Sequence, residues 1–234
     1  MTGNSSRAFT LFELFVVIAV IAVLFSIAYP AYTSILERAK ITKDMNNLRQ
    51  IGLGIQTYLN DNDQVLPIIN ALPGTGTVAS PVIYPKYIAT RKIFQSPFDS
   101  RPSLETDAAP VSYGINANMY TLASATPPGI ERNIARVVSP ASTILMAPNY
   151  PNPPGNPANA SSWTGIATNA PNLPPGGTGE TRGTQTNGTR INVLFCDLHS
   201  ESLIFSLTGP PYPSGSFQDT TSDPLGLKHW DPTK

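Results

Sequence analysis

Apolar residues follow three different patterns along the chain. From Phe9 to Tyr29 they form a run of 21 residues interrupted by one charge, Glu13. At 1.5 Å per residue that run makes about 31 Å of helix, enough to cross the hydrocarbon core of a bilayer. From Ile41 the pattern changes: Ile41, Met45, Leu48, Ile51 or Gly52, Ile55 and Leu59 recur at spacings of three and four. That is one apolar stripe on an amphipathic helix, with Lys43, Asp44, Asn47, Arg49 and Gln50 expected on the other positions. Pro30 lies between the two patterns; it removes a backbone donor and is expected to kink the helix without ending it. Asn60-Asp61-Asn62-Asp63, with Pro67 behind, predicts the stop.

Beyond residue 60 the apolar runs are short and separated by turn formers. Segments 111–119 (VSYGINANM) and 136–148 (RVVSPASTILMAP) each predict a strand with flanking turns, and 80–100 mixes apolar pieces with turns. Residues 190–205 (RINVLFCDLHSESLIF) predict a strand pair with its turn around Leu198 to Glu201. Residues 149–190 are dense in Pro, Gly, Asn and Thr and read as a long surface loop or insertion. The expected fold class is α+β: a long N-terminal helix packed on a small antiparallel β head with long loops.

Composition narrows this picture. A chain of 234 residues holds one sizeable domain or two small ones. Fifteen basic and fifteen acidic residues cancel, so no electrostatic reason exists to expect a nucleic-acid partner. The 24 prolines favour short strands and ordered loops. The only cysteine is Cys196, which excludes an intrachain disulfide and leaves the head to be held by its core.

Glu13 then needs a reason, because an ionised carboxylate inside a membrane-length segment is costly without a partner. In a secretory signal, Arg7 would form the basic region and Ser26–Ala28 the cleavage site. A plain single-span anchor explains the length but leaves Glu13 unpaired. Its orientation is also ambiguous, because Arg7 precedes the span while Arg38, Lys40, Lys43 and Arg49 follow it. In a third reading the chain is cut between Ala8 and Phe9. The new amine lies four residues from Glu13, and the two charges neutralise each other within one subunit or between staggered neighbours.

The residues R-A-F-T-L-F-E-L resemble the N-terminal processing motif of type IV pilins and type II secretion pseudopilins. The match covers Phe9, Thr10, Leu11, Glu13 and Leu14, with Ala8 where glycine is usual. The resemblance implies removal of residues 1–8 by a prepilin peptidase and N-methylation of Phe9. Glu13 and Phe9 would then act in assembly, with Pro30 bending the helix. It also implies a single-pass subunit: residues 9–30 in the inner membrane, 31–60 as the soluble half of the helix, and 61–234 as a periplasmic head. Its partners would be other pilin-like subunits, membrane lipid, and an inner-membrane assembly platform with its ATPase.

The later segments resemble a group of prepilin-like proteins from planctomycete and verrucomicrobial bacteria. That group carries a YPKYI…K-x-F-x-C-P-x-D segment, an SYGxN segment and a closing NVLFxDGH. Ser112, Tyr113, Gly114 and Asn116 match, as do Asn192, Val193, Leu194, Phe195, Asp197 and His199. Ser96 stands where the group has Cys, Leu198 where it has Gly, and Asn187 where it has a His ten residues before the Asp.

Candidate chemistry is sparse. Treated as extended strand, 196–199 puts Asp197 and His199 on one face and Cys196 on the other, which makes a Cys–His dyad geometrically poor. Cys196 then reads as a buried small hydrophobe. Asp197 and His199 would bind a metal or pin a loop. With only His199 and His229 in the chain, a His-based zinc site is not expected. Calcium needs oxygens alone, and Asp219, Asp223 and Asp231 are its candidate ligands, with solvated turn aspartates as the alternative. His229 and Trp230 are expected to pack the tail on the body. No phosphate loop, nucleophile elbow or Cys-pair zinc pattern appears, so no catalytic residue is assigned and no enzymatic activity is expected. The expectation is a structural subunit of a pilus or secretion pseudopilus; the rival is an exported or anchored monomeric binding protein.

Overall fold

The computed structural model describes residues 10–67, 83–99, 111–120, 129–148, 165–166, 185–186, 189–204, 229 and 231–233. The chain divides into two compact units, one through Ala39 and one from Lys40 onward. One helix, α1 (Leu11–Asp61), contributes to both and passes through Pro30 uninterrupted.

In the first unit every side chain from Leu11 to Leu36 is exposed, most of them large and apolar. This stretch is long and apolar enough to cross a membrane. Its serine and threonine hydroxyls are satisfied within the helix: Ser26 donates to the Val23 carbonyl at 2.7 Å, Thr33 to Pro30 at 3.0 Å and Ser34 to Ala31 at 2.9 Å. Internal satisfaction of polar groups is what a lipid environment requires.

The second unit is α+β. Beyond α1 its described residues form five strands: β1 (Tyr113–Asn116), β2 (Ile144–Pro148), β3 (Gly165–Ile166), β4 (Arg190–Phe195) and β5 (Ser200–Ile204). Their order in the sheet is β3-β1-β2-β4-β5. Four strands pair antiparallel, as expected; the two-residue β3 runs parallel to β1 and falls inside the segment read as a loop. The pair predicted over 190–205 is the β4–β5 hairpin, but its turn comes earlier, at Cys196–His199, because Leu198 adopts φ 70° there. The strand expected over 136–148 is confined to β2, with a 3-10 turn at Ile134–Arg136 before it.

The helical stripe buries Leu48, Ile51, Ile55 and Leu59 among Phe94, Tyr113, Ile115, Met146 and Leu194. The opposite sheet face carries Ile144, Ala147, Ile191, Val193, Phe195 and Leu203. Two glycines let α1 approach closely. A Cβ on Gly54 would lie 2.7 Å from Ile88 Cδ1, and one on Gly52 would lie 3.2 Å from Leu194 Cδ1. At the helix end, Gln64 donates its N–H to the Leu59 carbonyl, and Asp63 and Gln64 both take positive φ.

One sequence expectation is corrected. Asp44 and Asn47 do not face solvent: Asp44 is 0% and Asn47 5% exposed, while Ile41 and Met45 are only half-buried. The buried face of α1 is therefore centred on Asp44, Leu48, Ile51 and Ile55. The reason lies in the head, which offers polar partners to positions 44 and 47.

Candidate functional site

Among the described residues, three clusters of polar side chains bear on the candidate sites. The first is the start of α1. The Thr10 N–H and hydroxyl both donate to Glu13 Oε2 at 2.9 Å, and the Glu13 N–H donates to Thr10 Oγ1 at 3.2 Å. This is a reciprocal capping box, a Ser or Thr with an acid three residues on, and it satisfies donors that the first helical turn leaves free. Glu13 thus has a local structural use that the sequence reading missed, although Thr-x-x-Glu before an apolar run is its usual signature. Ala8 and Phe9, the expected cleavage junction, lie outside the described residues.

The second place is the buried carboxylate of Asp44. Its Oδ1 accepts from Ser96 Oγ and from the Tyr113 hydroxyl, both at 2.6 Å, and its Oδ2 accepts from Asn192 Nδ2 at 2.9 Å. The same Asn192 amide donates to the Ile41 carbonyl at 3.2 Å. One turn along α1, Asn47 donates to the Gln95 carbonyl at 3.0 Å. Asp44 and Asn47 therefore tie the helix to the 95–96 turn, and Asp44 also reaches β1 and β4. A second layer supports this clasp: Ser112 Oγ donates to Asp99 Oδ2 at 2.6 Å, and the Ser112 N–H to the Phe94 carbonyl at 2.8 Å. Asn116 donates to the Ile144 carbonyl at 2.9 Å and so links β1 to β2.

Ser96, Asp99, Ser112, Tyr113, Asn116 and Asn192, drawn from three separate sequence segments, are all buried. Burial pushes the Asp44 carboxyl above its ordinary value, outweighing the three hydrogen bonds that favour its ionised form. Asn192, a polar residue between Ile191 and Val193 in the best strand, was the available sequence signal for a buried partner.

The third place is the β4–β5 turn. Asp197 Oδ1 accepts the His199 N–H at 3.1 Å and lies 2.5 Å from His199 Nδ1. The His199 ring stacks on Phe195 with centroids 4.3 Å apart, and its Nε2 is 3.8 Å from Glu201. Asp197 and His199 meet through a turn, not through the strand alternation expected of 196–199. Cys196 is buried, and burial pushes its thiol far up, which leaves it a poor nucleophile. His229 packs near Phe195 and its Nδ1 lies 2.8 Å from the Ser142 carbonyl.

Of the calcium candidates, Asp219 and Asp223 lie outside the described residues, as does Trp230. Asp231 is buried and its Oδ1 accepts from the Thr233 N–H at 2.9 Å and hydroxyl at 2.6 Å, a turn-forming role. Among the described residues, no three His, Cys, Asp or Glu side chains converge to hold a metal.

No protein-family model, no curated protein and no solved structure matches the chain.

Proposed function

We propose that the chain is a pilin-like structural subunit, inserted in the inner membrane by the first half of α1, with its head on the periplasmic side. A prepilin peptidase removes residues 1–8, and Phe9 becomes a methylated N-terminus. The mature subunits polymerise through the apolar half of the helix into a type IV pilus or a type II secretion pseudopilus. Force comes from a cytoplasmic ATPase acting through an assembly platform, and the chain itself is not an enzyme.

The observation that carries this reading is the division of labour within α1. Its apolar half leaves every side chain from Leu11 to Leu36 exposed, whereas its later half is built into the head through Asp44, Leu48, Ile51 and Ile55. An apolar surface of that length needs lipid or other helices around it. The motif from Phe9 to Leu14 supplies the choice of class.

The capping box favours a second reading, because it gives Glu13 a use that requires no neighbour: an anchored, monomeric exported protein. The mature N-terminus separates the two. N-terminal sequencing and intact mass of protein extracted from its native membrane should show a methylated Phe9. A start at Tyr29 means a cleaved signal, and an intact Met1 means a plain anchor; either result overturns the proposal.

A further inference from the structure

Asp44 sits in a site that offers its carboxylate no counter-charge among the described residues. Its side chain is fully buried, and its partners, Ser96, Tyr113 and Asn192, are all neutral. Beside it, Asn192 Oδ1 is buried and has no hydrogen-bond partner among the described residues. Directly across the hairpin, Asn192 pairs in register with Ser202, whose buried Oγ also lacks a partner among the described residues. Leaving a desolvated charge without a counter-ion is costly, and so is leaving buried acceptors unmatched. One added proton relieves both faults.

We propose that Asp44 is a proton-binding site, occupied in the folded protein at neutral pH, and that the Asn192 amide turns over to receive that proton. The proton resides on Asp44 Oδ2. With the amide rotated, Oδ2–H donates to Asn192 Oδ1, and Asn192 Nδ2 faces Ser202 Oγ. Opposed side chains across an antiparallel pair are close enough for that bond. The exchange gives up the Asn192 bond to the Ile41 carbonyl. The Ser96 and Tyr113 hydroxyls keep donating to Oδ1, so the clasp between helix and head stays closed. Loss of the proton restores the other amide orientation, places a bare charge in the core and weakens the clasp. The proposal therefore makes the attachment of α1 to the head dependent on external pH.

The groups facing Asp44 from each packed element are few. They are the Tyr113 phenol from β1, the neutral Ser96 from the turn before it, and Asn192 from β4. Asp99 lies one layer out, bonded to Ser112. On α1 itself, Lys43 is exposed, and Lys40, also exposed, lies 6.0 Å from the Phe98 ring. No cation reaches Asp44 among the described residues, which leaves the proton as the neutralising species.

Infrared spectroscopy of the full chain in detergent micelles tests this through the C=O stretch of a neutral carboxylic acid. The wild type should show that band at neutral pH and lose it at alkaline pH. Asp44→Asn should lack it throughout, while Asn192→Ala should keep the fold and move both the band and the pH of its loss. Absence of the band from the wild type at neutral pH would overturn the proposal, and so would a band that Asp44→Asn leaves intact. If Asp44→Asn does not fold, a wild-type band that ignores Asn192→Ala would overturn it equally.

Discussion

The two halves of α1 each carry one notable acid, and the two are handled in opposite ways. Glu13 is exposed and satisfied entirely within its own turn, by Thr10. Asp44 is buried, and its carboxylate is bonded only to residues at least 52 positions away, in three segments of the head. Local satisfaction leaves the apolar surface of the first half exposed. Distant satisfaction makes the second half part of the head's own core. A single continuous helix is thus assigned outward at one end and inward at the other by where its polar groups find partners, more than by any change in helix propensity.

Truncation should expose this contrast most strongly. Leu48→Ala opens a cavity in the core and should destabilise the head by about 2–5 kcal/mol, read by chemical denaturation in micelles. Ile21→Ala, at an exposed position of the first half, should leave that transition unmoved. An equal loss from both would erase the distinction. Next, Gly54→Ala forces a Cβ against Ile88 and should cost about 1–3 kcal/mol, since overpacking a close approach displaces neighbours. The same change at Gly52, with a looser contact to Leu194, should be near neutral because alanine also favours helix. Tyr113→Phe removes one donor from Asp44 and should cost about 1–2 kcal/mol, less than the cavity variant.

A pH series sharpens the comparison further. The Asp44 carboxyl is raised above its ordinary 3.8 by burial. Its contribution is therefore fully present below about the unfolded value and is lost as pH rises through the folded one. The thermal midpoint of the wild type should accordingly fall with rising pH relative to Asp44→Asn, which lacks this titration. A parallel pair of curves would show that Asp44 titrates alike in the folded and unfolded chain, which contradicts its raised value.

The legible parts of the sequence were those whose cause is local. The apolar run, the stripe through Leu48, Ile51, Ile55 and Leu59, the helix stop after Asn60 and the hairpin over 190–205 all follow from nearest-neighbour periodicity and turn residues. The turn position was misread because Leu198 takes the left-handed conformation that the resemblance places on glycine. Asp44 was misread for a deeper reason. On a helical wheel it falls in line with Leu48, Ile51 and Ile55, but its charge argues for solvent, and only the arrival of Ser96, Tyr113 and Asn192 makes its burial tolerable. Short β3 was invisible because two residues, Gly165 and Ile166, carry no periodicity.

The proposed polymerisation through the first half of α1 gives Glu13 a second role, toward other subunits, beyond capping its own helix. Glutamine at that position keeps the capping box but removes the charge. Cross-linking of Glu13→Gln in its native membrane, beside the wild type, is the most direct test. The account predicts that the variant stays membrane-bound with an intact head yet loses the multimer ladder. A ladder equal to that of the wild type would contradict it.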